Sequence, residues 1–455
     1  MIKATTPQPS HIDPASLNTN LKPMGVSATL AINERSKELQ ASGRKVHRLG
    51  LGQSPFPVPP RVTNALRKHA GEKDYLPVRG LPTLRKAVAE FHRRHDDINC
   101  SQDDVLIGPG SKELMFILQL TYKAELLIPA PSWVSYAPQA QILGSNARWI
   151  STQADNNWQM TPDALEAACK INPEQPKLLI LNYPSNPTGH SFTKGQLIAL
   201  THVARANNVL ILSDEIYGLL DHQGEHLSIA RFYPEGTIVS SGLSKWCGAG
   251  GWRLGTFLFP PKLRWLLDAM AIVASETYTS VSAPIQYAAV AAFEEGDDIK
   301  IYLDKSRRVL RSLAKHLCDR LRSIDIAVTS PKGGFYLFPD FEKYRETFKQ
   351  RGITTSTQLC EMLLNEAGVA MLPGSDFGRP EGELTVRLAY VDFDGEHVLS
   401  VLKNDTETND LTPVFLRQHC ANTIEAMDKI IAWATAAEAL PDPVTIENGF
   451  RAAVA

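Results

Sequence analysis

Lys245 stands in the run Ser240-Ser-Gly-Leu-Ser-Lys245-Trp-Cys-Gly-Ala-Gly-Gly-Trp-Arg253, among small residues and with an arginine eight positions on. An exposed lysine stays protonated near its ordinary value of about 10.4, whereas one in a cramped site beside a second cation can be lowered far enough to form a Schiff base. Two further polar segments lie upstream, Asn186-Pro-Thr-Gly189 and Ser213-Asp214-Glu-Ile-Tyr217, each closing a strand-like apolar run. The chain thus offers an amine, a carboxylate, an amide and a phenol. Each also has a plainer reading: Lys245 as a helix-end lysine, Asp214 as a helix N-cap, Tyr217 as a core aromatic, and Asn186-Pro-Thr-Gly189 as an ordinary turn.

The elements that must position these groups are short apolar runs alternating with longer helical patterns. The runs are Val105 to Ile107, Leu126 to Ile128, Lys177 to Leu181, Val209 to Leu212, Thr237 to Val239 and Thr256 to Phe259. Such alternation predicts an α/β fold, with a large domain built on a mainly parallel sheet flanked by helices. Ligands gather at the carboxyl ends of such strands. The polar segments follow the runs directly: Gly108 to Lys112, Pro131 to Tyr136, Asn182 to Gly189 and Asp214 to Tyr217.

From about Ile301 the pattern changes to a long amphipathic helix, a stretch Ile324 to Ser330, a strand Gly334 to Phe338 and a last strand near Leu384 to Tyr390. This reads as a smaller α+β domain. The expected division is a segment 1–60 joining the small domain, a large domain 61–300, and a small C-terminal domain 301–455. A polar loop, Lys403 to Asp410, leads to an extra helix near Pro413 to Ala437 that carries no chemical signal.

In their order and spacing these segments resemble the class I/II aminotransferases, pyridoxal-phosphate enzymes of fold type I. Asn186 to Asp214 is 28 residues, Asp214 to Lys245 is 31, and Lys245 to Arg253 is 8. The resemblance runs from about Ala28 through Val391. It implies pyridoxal 5'-phosphate as cofactor, with Lys245 as its Schiff-base lysine and proton carrier. Asp214 would hold the pyridine nitrogen protonated, so that the ring absorbs a carbanion's electrons. Asn186 and Tyr217 would bond the phenolic oxygen, and Trp133 would stack on the ring, although a core tryptophan is the simpler reading of that residue. Gly110-Ser111-Lys112 opens an apparent helix whose N–H groups suit a phosphate. Arg253 and Ser244 would add donors to it. Gly242 stands where the family often has serine, with Ser241 as the substitute at hand.

Arg387, within the apolar run Leu384-Thr-Val-Arg387-Leu-Ala-Tyr390, is costly unless paired. By resemblance it grips the substrate α-carboxylate, with Asn186 and the backbone of Gly52 touching the same group. The alternative is a snorkelling edge-strand arginine. Tyr75, in Tyr75-Leu-Pro-Val-Arg-Gly80, resembles the tyrosine that reaches a neighbouring subunit's phosphate, which implies a homodimer.

The implied reaction is a two-stage exchange, from an L-amino acid to the cofactor and then to a 2-oxo acid. No arginine lies between Arg264 and Arg307 to bind a side-chain carboxylate as in some dicarboxylate-specific relatives, which weakens strict aspartate specificity. A fold-type-I lyase, either a carbon–sulfur lyase or an aminocyclopropane-carboxylate synthase-like enzyme, would use the same pocket. A regulator's effector-binding module is a third reading, but the residues before Ala28 are neither basic nor numerous enough for a helix-turn-helix domain.

Composition bounds the partners. The 455 residues carry 47 Lys+Arg against 49 Asp+Glu, a formal charge of -2, which gives no support for nucleic acid. No window reaches the roughly 20 apolar residues of a membrane span, and the N-terminus lacks the apolar core of a secretory signal. The six cysteines are isolated, with no zinc spacing, so reduced thiols, a cytoplasmic protein and no metal are expected.

Overall fold

The structure, a computed structural model, describes residues 18–21 and 28–438. Most of the stretch ahead of Ala28, and the tail beyond residue 438, therefore lie outside the described residues. Twelve described strands form three sheets: β1 (His47–Arg48), β2 (Val105–Gly108), β3 (Glu125–Ala130), β4 (Ala147–Ser151), β5 (Lys177–Asn182), β6 (Leu210–Asp214), β7 (Thr237–Gly242), β8 (Gly255–Leu258), β9 (Tyr336–Leu337), β10 (Val369–Ala370), β11 (Leu372–Pro373) and β12 (Val386–Ala389).

Seven of them make one sheet in the order β2-β8-β7-β6-β5-β3-β4. Six of the seven are mutually parallel; β8 runs against both neighbours. The reason is legible in β5 and β6, which carry the apolar runs Leu178 to Leu181 and Leu210 to Leu212 and are buried at every residue. A strand covered on both faces needs a helix layer on each.

On one face Leu178, Ile180, Leu210 and Leu212 pack on Leu114 and Leu118 of the helix Ser111–Thr121 and on Leu266 and Met270 of the helix Arg264–Thr277. On the other, Leu179, Leu181 and Ile211 meet Leu165 of Pro162–Ile171 and Leu197 and Leu200 of Lys194–Ala206. Each such side chain contributes about 1.5–3 kcal/mol by leaving water.

All six apolar runs form strands, and a seventh strand, β4, adds an edge that no run announces. Within Ala147–Ser151 only Ile150 is buried, so the segment has no continuous apolar stretch. The long helix runs from Asp297 to Arg322, so the boundary expected at 300/301 falls inside it. The strand expected over Gly334 to Phe338 shortens to Tyr336–Leu337, because Gly334 turns the chain at φ +67°.

β9, β12 and β11 form a three-stranded antiparallel sheet, and β1 pairs in parallel with β10, His47 opposite Val369. The helix expected near Pro413 to Ala437 is two helices, Pro413–His419 and Ala421–Glu438. Buried Cys420 separates them with φ -123° and ψ 36°, a break that neither proline nor glycine signals. Among the described residues no helix is long and apolar enough to cross a membrane.

Candidate active site

The parallel strands bring their carboxyl ends to one edge of the large sheet, and β8, running the other way, begins there. That geometry gathers residues from across more than 140 positions of sequence. Ser111 and Lys112 follow β2, Trp133 follows β3, Asn186 follows β5, Asp214 and Tyr217 come at the end of β6, Ser244 and Lys245 follow β7, and Arg253 leads into β8. All of them line one cavity of about 280 Å³.

Asp214 lies at the floor, opposite Asn182 of β5 and Ser240 of β7 in register. Its Oδ2 accepts a hydrogen bond from Tyr136 Oη at 2.5 Å. Burial pushes its carboxyl up to about 6, although the Tyr136 bond, the Ile216 N–H and the charge of Lys245 pull the other way. A buried carboxylate with this shortage of positive partners suits a cationic N–H. Asn182 fixes the backbone around it: its Nδ2 donates to Asp214 O at 2.8 Å and its Oδ1 accepts from Asn186 N at 2.7 Å.

Lys245 Nζ donates to Gly52 O at 2.7 Å and lies 5.5 Å from the Tyr217 ring centre and 5.7 Å from that of Phe335. The amine is thus held by a backbone carbonyl beside two aromatic rings, in the cavity that Asp214 also lines. Lys112 Nζ sits 4.9 Å from the Trp133 ring centre, and burial, Arg253 and Lys245 lower its ammonium. Three cations face this cavity against one carboxylate, an arrangement that attracts anions.

The anion end is shaped by Gly110, which caps the helix Ser111–Thr121. Its φ is +93°, and a Cβ there would lie 2.2 Å from Arg253 Nη2. Free helix N–H groups and a guanidinium therefore converge on a notch that a side chain would fill. These features fit a phosphate-bearing cofactor. Gly110→Ala is expected to weaken phosphate-dependent cofactor binding at least about tenfold, since the substitution carries roughly 1–3 kcal/mol of positive-φ backbone strain besides the clash. Absorbance titration of the cofactor into cofactor-free protein checks it; unchanged affinity would move the anion site elsewhere.

Arg387, on β12, is 1% exposed, and among the described residues no carboxylate lies within salt-bridge distance of it. Its Nη1 donates to Asn186 Oδ1 at 3.3 Å, its Nη2 to Gly50 O, and its Nε has no hydrogen-bond partner among the described residues. The guanidinium lies over the rings of Tyr336 and Phe377. Gly52 holds Lys245 through its carbonyl, and its missing side chain leaves room for the Tyr336 hydroxyl, which a Cβ would approach to 1.9 Å. Tyr75 is not among the cavity residues and is 89% exposed. Ser241 also points elsewhere, lining a separate small cavity with His92 and His226.

Sequence reasoning passed over Tyr136, Asn182, Ile216 and Tyr336. Tyr136 carries a usable signal, since it stands three residues after Trp133 at a helix start, where both side chains share a face. Asn182 is the last residue of an otherwise apolar strand, which is itself a cue. Tyr336 arrives from the small sheet and had none.

Comparison with known proteins gives the family. The sequence model of the family described as aminotransferase class I and II matches residues 44–394. The aspartate aminotransferase of Bacillus sp. (strain YM-2) is 33% identical over 384 residues, covering 82% of this chain and 94% of that protein. The asparagine–oxo-acid transaminase of Streptococcus mutans is 33% identical over 390 residues, with the same coverage. A Thermus thermophilus aspartate aminotransferase solved with maleate superimposes with a TM-score of 0.78 at 28% identity, covering 91% of this chain and 98% of that one. With nearly the whole length of these relatives matched and the lysine, carboxylate and arginine cavity in place at the sheet's carboxyl edge, the chain belongs to the class I and II aminotransferases.

Proposed function

We propose that the cavity binds pyridoxal 5'-phosphate and that the enzyme moves the amino group of an acidic amino acid, aspartate first among them, to a 2-oxo acid. The observation that carries this reading is the convergence of Lys245, Asp214, Ser111 and Arg253 on one cavity. When bound, the cofactor supplies an aldehyde that carries the amino group and a ring that accepts the electron pair left at the substrate Cα.

The chain's own groups divide the remaining work. Ser111, Ser244 and Arg253 bind the phosphate. Asp214, backed by Tyr136, holds a proton on the ring nitrogen, and Trp133 covers the ring. Tyr217 and Asn186 donate to the phenolic oxygen. Lys245 Nζ would move the proton between the substrate Cα and the cofactor carbon that carries the amino group. Arg387 fixes the α-carboxylate with a planar two-point fork, the contact that orients the Cα–H bond. Lys112 remains as a long cation able to turn to the phosphate or to a second substrate carboxylate, consistent with the aspartate named for the relatives above.

Three wider assignments accompany this reading. Residues 28–60 join the small β9-β12-β11 domain through the β1–β10 pair. Exposed Tyr75 suits a site completed by a second copy of the chain, a homodimer. Six buried cysteines without disulfides suit the reducing cytoplasm.

The test is a panel of amino acids added to the purified enzyme, following the cofactor's absorbance and the amino group's arrival on 2-oxoglutarate. Aspartate should react fastest, and Arg387→Leu should raise its KM by at least about a hundredfold, the effect of losing a buried charge-assisted pair worth 2–5 kcal/mol. Release of ammonia and pyruvate in place of transfer would overturn the reaction; an unchanged KM would remove Arg387 from the substrate.

A further inference from the structure

We propose that Tyr336 is a positioning residue that sets the direction in which the Tyr217 hydroxyl offers its proton, an inference that rests on Tyr217 being a donor to the cofactor. The two phenol oxygens lie 2.8 Å apart, and among the described residues each is the other's one hydrogen-bond partner. A phenol has a single proton to donate. Burial and the neighbouring Tyr336 hold the Tyr217 phenol well above its ordinary value, so it keeps that proton. If the proton is spent inside the cavity, the bond between the two tyrosines must run from Tyr336 to Tyr217.

Such a chain does more than orient. An oxygen that accepts one hydrogen bond becomes a better donor in the next, so the Tyr336 hydroxyl strengthens the contact that Tyr217 makes. The Tyr336 ring is fixed on several sides. Arg387 lies 4.9 Å from its centre, Phe335 packs 4.9 Å away, and the Tyr217 ring meets it edge-on at 5.6 Å. Gly52, whose Cβ would stand 1.9 Å from the hydroxyl, keeps the approach open. Tyr336 and Arg387 ride on adjacent strands of the small sheet, β9 and β12, whereas Tyr217 follows β6 of the large one. The tyrosine pair is therefore a hydrogen bond between the two sheets, made beside the group proposed to hold the substrate.

Tyr336→Phe removes the hydroxyl and retains the ring contacts, so the fold is kept. The decisive measurement is a pH titration of the bound cofactor's absorbance in the holoenzyme, for Tyr336→Phe, Tyr217→Phe and the double variant. Tyr336→Phe is expected to raise the titration midpoint by about half to one unit and to lower kcat about three- to tenfold without changing KM. In the Tyr217→Phe background the same change should shift the midpoint by less than about 0.2 units, because the route of action is gone. Equal shifts in both backgrounds, or no shift in the single variant, would overturn the proposal while leaving the cofactor site intact. No shift in Tyr217→Phe itself would remove the role of Tyr217, and this proposal with it.

Discussion

Lys245→Ala is expected to lower kcat for amino-group transfer by about ten-thousandfold or more, because one substitution removes both the covalent anchor and the base that serves the substrate Cα. The phosphate notch at Gly110 and Arg253 is untouched, so the variant should still take up the cofactor. The distinction is visible by borohydride reduction followed by denaturation. Wild-type protein keeps the cofactor attached to the chain, and the variant releases it. A variant that retained the attached cofactor would place the amine on another lysine, and Lys112 is the other one facing the cavity. Replacement by arginine should not rescue, since a guanidinium stays charged at any working pH.

Asp214→Asn should move activity and stability in opposite directions. Turnover is expected to fall about a thousandfold, the scale on which a broken buried charge pair of 3–5 kcal/mol reads out in a rate. Stability of the cofactor-free protein should rise. The carboxyl of Asp214 is raised from 3.8 to about 6 by burial, so the folded state binds its proton more tightly than the unfolded chain does. A raised carboxyl destabilises the fold when ionised: the cost is full above about pH 6, shrinks as pH falls, and is gone below 3.8. Its ceiling is about 3 kcal/mol. Asparagine can still accept from Tyr136 and carries no charge. Denaturant unfolding of both cofactor-free proteins should therefore show the variant ahead at pH 8 and the gap closing toward pH 4. A gap independent of pH would mean that the carboxylate is not the source. Adding cofactor should help the wild type more, because only the carboxylate gains a cationic partner.

Much of this site is legible along the chain because the chemistry sits where apolar runs stop. A strand buried on both faces tolerates polar residues only at its ends, so Asp214 at the end of β6, and Asn186 and Lys245 soon after β5 and β7, are marked by contrast with what precedes them. The parallel arrangement then puts those ends at one edge without further information. Contacts between units are another matter. Tyr336 lies in Gly333-Gly-Phe-Tyr-Leu-Phe338, an aromatic stretch that reads as core, and it is core, buried together with its hydroxyl. Nothing local says that this hydroxyl meets Tyr217, 119 positions away. β4 escaped for a different reason: an edge strand with one covered residue lacks the pattern that betrays the inner ones. The break at buried Cys420 has no proline or glycine to announce it along the chain.

Two backbone carbonyls of the N-terminal segment, those of Gly50 and Gly52, accept hydrogen bonds from Arg387 and Lys245. Under the roles proposed for Arg387 and Lys245, these carbonyls occupy donors that the substrate carboxylate and the cofactor would have to claim. Neither cation waits bare in a desolvated wall, so every ligand arrival is an exchange in which a carbonyl must let go. Measured affinities will then be differences between two sets of contacts, smaller than either.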